Sequence, residues 1–488
     1  MSVRLSSAQI RAQLDHPIVD ADGHFVEVMP LFEEYLRDFA GNDIADRYAA
    51  ARGWSRTPGP HGWSEVDNAE RRRLRATAPI WWVNPTDAVD RAAAYLPRLL
   101  YERLDEIGID FTILYPSVGG MLRNWPEQDV RIAGSRALNT FLAEQFKPFT
   151  DRMTVAALIP AHTPDEAIAE LDYAVGTLGS KVVVLPGYVE RPIVAYADLH
   201  DRLGRQVEWI DVLALDSDYD YDPVWQRCVD LGVAVTTHSG SHGLGFRRSI
   251  STFMYNHIGH FSEAGDAFAK ALFFGGVTRR FPTLNFAFLE QGVARAVSLF
   301  AALIERWEKR GGANIQQFNP AHVDWARFDE LVANYGSPAL RHGAAYEFLH
   351  RPSAAHPSQL DDFARCDITD AKDIYELFVP RFYFGCEADD RMNTLAFDTN
   401  INPFGAQLNA VLSSDLSHWD VPDMLGVVKD AYKLVERGAL TPDQFRAFSA
   451  DNCIRLHGQM NPRFFENTVV EKYARSVLGV RAETAGGT

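Results

Sequence analysis

Short apolar runs, each followed by a polar loop and an amphipathic stretch, recur along the whole chain. The runs are Ile18–Ala21, Phe111–Tyr115, Thr154–Ile159, Lys181–Leu185, Val233–Thr237, Leu284–Leu289, Arg381–Phe384 and Asn409–Ser413. Most are apolar on both faces, as strands covered by helices outside and by a packed interior inside should be. Between them, Pro164–Leu178 opens on a Thr163 cap, Asp222–Leu231 precedes the fifth run, and Ala294–Arg310 follows the sixth, each at helical spacing. Eight strands alternating with helices predict an α/β fold, a (β/α)8 TIM barrel. The competing open, doubly wound sheet would carry a Gly-rich phosphate loop after the first strand, and none stands there.

Two stretches exceed ordinary barrel loops, and we expect them to be large insertions near the barrel mouth. Residues 41–96 form an aromatic-rich segment with Trp54, Trp63, Trp81 and Trp82, and residues 311–375 form a second one punctuated by prolines. The expected organisation is one barrel domain over 1–488, closed by a C-terminal helix and tail over 441–488. The insertions are placed to roof a pocket or to build a subunit interface, so a homo-oligomer is expected.

Composition narrows the partners. The formal net charge of −17 argues against a nucleic-acid backbone or an anionic membrane surface. The first residues lack the apolar core of a signal peptide, and no run reaches spanning length. Cys228, Cys366, Cys386 and Cys453 are scattered without a CxxC pair, which reads as reduced thiols of a cytoplasmic protein.

Catalytic groups of such barrels stand just past the carboxyl ends of the strands. Those positions carry Asp22 and His24 after the first strand, His238 after the fifth, Glu290 after the sixth, Glu387 after the seventh and Asp415 after the eighth. Carboxylates and imidazoles gathered at strand ends suit a divalent cation such as zinc, manganese or iron, as one ion or two. Asp20 reads as a carboxylate that caps a loop or supports a ligand. On the excursion after the fifth strand, His257 and His260 are three apart, which on a helix would place them on one face. His257 is a candidate proton-transfer group, and Arg247 a candidate clamp for a substrate carboxylate. Trp82 is a candidate roof over an apolar substrate. The plainer alternatives are a padded helix for the histidines, solvated charge for Arg247 and a dimer contact for the tryptophan.

The segments VDADGH at 19–24, THSG at 237–240, GGVTRRFPTLNFAFLEQG at 275–292 and SSDLSHWDVPD at 413–423 occur in that order. Together they resemble the amidohydrolase-related family of metal-dependent TIM barrels. That branch contains aminocarboxymuconate-semialdehyde decarboxylase and the γ-resorcylate and other aromatic-acid decarboxylases. The resemblance runs from about Pro17 to Phe465 and implies metal ligands at Asp22, His24, His238 and Asp415. Two departures enrich carboxylates. An Asp-x-His pair stands where relatives carry His-x-His or Glu-x-His, and Glu290-Gln291-Gly292 stands where a histidine is common.

Two classes of function follow. The first is a metal-dependent hydrolase or non-oxidative decarboxylase of a small, cyclic, carboxylated molecule, with Asp415, His257 and Glu290 as the catalytic groups. The alternative is a non-haem iron oxygenase on the same barrel, with one iron or two, where Glu290 and Glu387, with His257 or His260, would furnish the second iron.

Overall fold

In the computed structural model, residues 5–52, 67–75, 77–78, 86–203, 207–241, 244–246, 248–351 and 357–480 are described. The strands are β1 (Val19–Phe25), β2 (Phe111–Pro116), β3 (Met153–Leu158), β4 (Val182–Leu185), β5 (Val189–Pro192), β6 (Glu208–Asp211), β7 (Val235–Thr237), β8 (Phe286–Phe288), β9 (Phe382–Glu387) and β10 (Asn409–Ser413). Eight of them form one parallel sheet in the order β1-β2-β3-β4-β7-β8-β9-β10. The sheet curls until the chain just past β10 meets β1. There the Ser414 N–H donates to Asp20 Oδ1 at 2.8 Å, the Asp415 N–H to Asp22 O at 2.9 Å, and the His24 N–H to Leu416 O at 3.0 Å. This is the (β/α)8 barrel that the apolar runs predict, and each run coincides with a barrel strand.

On one side of the barrel the layer between the sheet and its outer helices is aromatic, with Phe378 of the helix Ala371–Phe378 4.9 Å from Phe382. Phe288 packs against Phe382 and stacks on Phe384, both with ring centroids 5.2 Å apart. Outside, the helix Val293–Arg310 buries Val293, Ala296, Val297, Phe300, Leu303 and Ile304 at i, i+3, i+4 spacing. Thr163 caps its helix by accepting the Glu166 N–H, but the α-helix runs only over Pro164–Leu171 and continues to Thr177 as a wider π turn.

The sequence pattern does not separate β5 and β6. They pair antiparallel between β4 and β7, tied by an Arg191–Asp211 ion pair. Residues 311–351 and 357–375 are short helices and turns, among them Trp325–Tyr335 and Gly343–Leu349, which bury no side chain of their own. The tryptophans Trp54, Trp63, Trp81 and Trp82 lie outside the described residues. Among the described residues, no helix is long and apolar enough to cross a membrane, and all four cysteines are buried and free.

Candidate metal centre

β1 delivers two donors because of how it is built. The β1–β2 register shifts between Asp20 and Gly23, which marks an irregularity in the ladder. A Cβ on Gly23 would stand 2.8 Å from Thr112 Oγ1 and 2.9 Å from Asp20 Oδ2, so only glycine fits between Asp22 and His24. Asp20 serves the scaffold. Its carboxylate accepts from Thr112 Oγ1 at 2.7 Å, from Ser414 Oγ at 2.6 Å and from the Ser414 N–H at 2.8 Å, which ties β1 to β2 and to the end of β10.

Six side chains then meet at the carboxyl end of the barrel. Asp22, His24, His238 and Glu290 form one group of possible ligands, and His24, Glu290, Asp415 and His418 a second that overlaps it. Within each group the ligating atoms lie within 4.8 Å of one another. His24 Nε2 stands 3.6 Å from Asp22 Oδ1, 3.6 Å from Glu290 Oε1 and 3.2 Å from Asp415 Oδ1. His238 Nε2 is 3.7 Å from Asp22 Oδ1 and 3.4 Å from Glu290 Oε1. Donors bound to one cation at about 2.1 Å are separated by roughly 3–3.5 Å, so this spacing fits a shared ion.

The hydrogen-bonding record agrees. Both oxygens of Asp22, Nε2 of His24, Nε2 of His238 and Oδ2 of Asp415 are buried without a hydrogen-bond partner. Buried polar atoms are rarely left so, and a cation would satisfy all of them at once. His24 faces Tyr115 O through Nδ1 at 3.2 Å, which leaves Nε2 as the ligating nitrogen. His418 stacks on His24 at 3.5 Å, and its two ring nitrogens lie 2.7 Å from Asp415 Oδ1 and 2.8 Å from Ser117 Oγ.

Charge points the same way. Burial, with the nearby Glu290 charge, pushes the carboxyls of Asp22 and Asp415 well above the usual range. Burial would raise Glu290 too, but the imidazoles of His238, His24 and His418 around it hold its carboxyl well below that range. Burial lowers His238 against the pull of Glu290. Carboxyls crowded in this way are relieved by a divalent cation. Glu290 and Asp415 also adopt left-handed backbone conformations, with φ of +55° and +51°. Non-glycine residues rarely take this conformation, and such strain clusters at functional sites.

The structure thus brings together Asp22, His24, His238, Glu290 and Asp415. His257 stands outside both ligand groups, half-buried, with its ring 4.9 Å from Trp419 and 5.7 Å from Phe253. The expected shared helical face of His257 and His260 does not form. One helix ends at His257, Gly259 turns with φ of +77°, and a new helix starts at His260. Arg247 and Trp82 lie outside the described residues.

Sequence reasoning missed His418 and Asp420. His418 follows Asp415 at i+3, but in a loop where Ser417 takes φ of +76°, so no helical or strand period singles it out. Asp420 is pushed up to about 9 by burial and by the neighbouring Asp415. Glu387, at the end of β9, is pushed up to about 7, mainly by burial and then by the Glu290 charge, and accepts the Cys386 thiol at 2.7 Å.

The sequence profile of the amidohydrolase family matches residues 19–376, and the chain belongs to that family. No curated protein matches it in sequence. Among solved structures it is similar to 2,6-dihydroxybenzoate decarboxylase from Rhizobium, at 16% identity over 91% of this chain and 98% of the other, with a TM-score of 0.46. It is also similar to an amidohydrolase from Mycobacterium avium subsp. paratuberculosis, at 16% identity over 91% and 100% with a TM-score of 0.49. A dihydroxybenzoic acid decarboxylase from Polaromonas sp. JS666, solved with bound manganese and an inhibitor, aligns at 14% identity over 91% and 97% with a TM-score of 0.45.

Proposed function

We propose that the chain is a metal-dependent carboxy-lyase that removes CO2 from a small, cyclic, carboxylated organic molecule. The observation that carries this reading is the meeting of Asp22, His24, His238 and Asp415, in two overlapping groups that share His24 and Glu290, at the carboxyl end of an amidohydrolase-family barrel. These four side chains would hold a divalent first-row cation, with Glu290 and His418 bordering it. When bound, that cation supplies a Lewis acid that holds substrate oxygens and offsets negative charge as it develops.

The chain's own groups do the rest. Asp20 fixes β1 against Ser414, so that Asp22 and Asp415 keep their places. Tyr115 O holds His24 in one tautomer. Loss of CO2 from a ring leaves a carbon that must receive a proton. Glu387 and Asp420 are buried acids, and burial raises the first to about 7 and, with the neighbouring Asp415 charge, the second to about 9. We assign them as the proton reserve beside Glu290 and Asp415.

A second reading, the di-iron oxygenase, rests on the two overlapping ligand groups that share His24 and Glu290. One experiment separates the three chemistries. Protein loaded in turn with manganese, zinc and iron is incubated with a panel of aromatic carboxylic acids, esters and amides, while CO2 release, oxygen uptake and acid release are followed. We expect CO2 release at equal rates in air and under argon. Ester or amide cleavage without CO2 would replace the lyase with a hydrolase, and oxygen uptake that tracks turnover of the iron form would replace it with an oxygenase.

A further inference from the structure

Among the described residues, no carboxylate answers the buried cation of Arg123. It lies on the short 3-10 segment Gly119–Asn124 that follows β2, and only 7% of it is exposed. Its Nη1 donates to Gly120 O at 3.1 Å and its Nη2 to His238 O at 2.9 Å, while the buried Nε has no hydrogen-bond partner. Other arginines buried to a similar degree are paired. Arg103 meets Asp90 at 2.7 Å, and Arg131 meets Glu166 at 2.8 Å. Among the described residues, the one ionisable group that bears on Arg123 is the Tyr188 phenol. A guanidinium stays charged at neutral pH even when buried.

A desolvated charge without a counter-ion is costly, and a protein ordinarily neutralises it or leaves it in water. Here the loop that carries it is fixed in place. The N–H groups of Val118 and Gly119 donate to Glu27 Oε2 at 2.9 and 3.1 Å, and Glu27 follows directly on β1. The guanidinium is held against the backbone of His238, whose imidazole faces Asp22 and Glu290. A planar fork with a spare N–H, beside a metal-binding cluster, matches the geometry of a carboxylate.

We propose that Arg123 anchors a carboxylate of the substrate beside the metal cluster, which restricts the substrate class to organic anions. The proposal deepens the lyase reading and rests on it. A purely structural Arg123 would instead strap the β2 loop to the end of β7 through its two carbonyl contacts.

The test compares manganese-loaded wild type with R123M and R123K, using salicylate and its uncharged counterpart salicylamide as probes in calorimetric titrations. Wild type should bind salicylate at least about tenfold more tightly than salicylamide, as a charge-assisted pair provides. R123M should reduce that ratio by about tenfold while still binding manganese, and R123K, which keeps the charge but loses the fork, should fall between. An unchanged ratio in R123M, or a wild type that does not favour salicylate, overturns the anchor. If R123M does not fold, an unchanged ratio in R123K overturns it equally. CO2 release is read separately. An Arg123-dependent preference with no decarboxylation of any acid leaves the anchor and removes the lyase, and decarboxylation with an unmoved ratio does the reverse.

Discussion

The backbone N–H of Asp415 donates to the carbonyl oxygen of Asp22 at 2.9 Å, so one of the hydrogen bonds that close the barrel also sets the last strand's carboxylate beside the first strand's donors. His24 Nε2 then stands 3.2 Å from Asp415 Oδ1. Closure of the fold and assembly of the candidate site are the same event.

The H238A variant should lose bound metal while keeping its fold. His238 is one imidazole at the barrel mouth, and the packed layers beneath it carry the stability. We expect metal affinity measured by equilibrium dialysis to fall about 10–100-fold or more, with the melting curve of the metal-stripped protein unchanged. A variant that unfolds while metal-stripped wild type stays folded would make His238 a structural residue.

Glu290 decides the stoichiometry. It belongs to both ligand groups, with Oε1 3.4 Å from His238 Nε2 and 3.8 Å from His418 Nδ1. We expect one ion per chain in wild type and in E290Q, with turnover of the variant lowered by about 100-fold or more through lost proton handling. Elemental analysis that finds two ions in wild type and one in E290Q would assign Glu290 to a second metal and bring the oxygenase forward.

The parts legible in sequence are those with a local signature. Most of the eight barrel strands are apolar on both faces and show as runs, and the acids and imidazoles at their carboxyl ends show as breaks in those runs. The hairpin of Val189–Pro192 with Glu208–Asp211 has no such signature, because its strands are short and polar and separated by a long excursion. The split between His257 and His260 turns on the single left-handed Gly259, which helical spacing cannot reveal. His418 reaches the site only because the chain bends at Ser417. Arg123 is the least legible of all. Its interest lies in what it lacks among the described residues, a counter-ion, and that is a property of the packed fold.

His457 provides an acid-sensitivity test remote from the site. Its ring is buried and stacked on Phe464 at 4.6 Å, and neither ring nitrogen has a hydrogen-bond partner. Burial lowers its pKa from 6.5 to about 3. The folded protein therefore keeps it neutral while the unfolded chain takes up a proton below 6.5, so stability is lost as pH falls from 6.5 towards about 3. Replacing it in H457F removes the titration and keeps the stack. At pH 5 the gap between variant and wild type should widen, relative to pH 7.5, by about 2 kcal/mol in urea unfolding. Parallel curves at the two pH values would contradict the neutral, buried state.

Glu387 titrates in the opposite sense. Burial, and then the Glu290 charge, raise its carboxyl from 4.5 to about 7 in the folded protein. Between those values the folded state holds a proton that the unfolded chain has released, so stability falls as pH rises from 4.5 to 7 and the full cost persists above. The E387Q change keeps the shape and the acceptor for the Cys386 thiol but cannot ionise. In metal-stripped protein, E387Q should be more stable than wild type by about 3 kcal/mol at pH 8, with the difference closing towards pH 4.5. In the metal-loaded enzyme the same variant should lose turnover, because its amide cannot supply the proton. The two readouts separate the roles. A stability gain without loss of kcat would leave Glu387 as a buried acid with no part in the reaction, and a loss of kcat without the pH-dependent stability gain would place its pKa in the ordinary range.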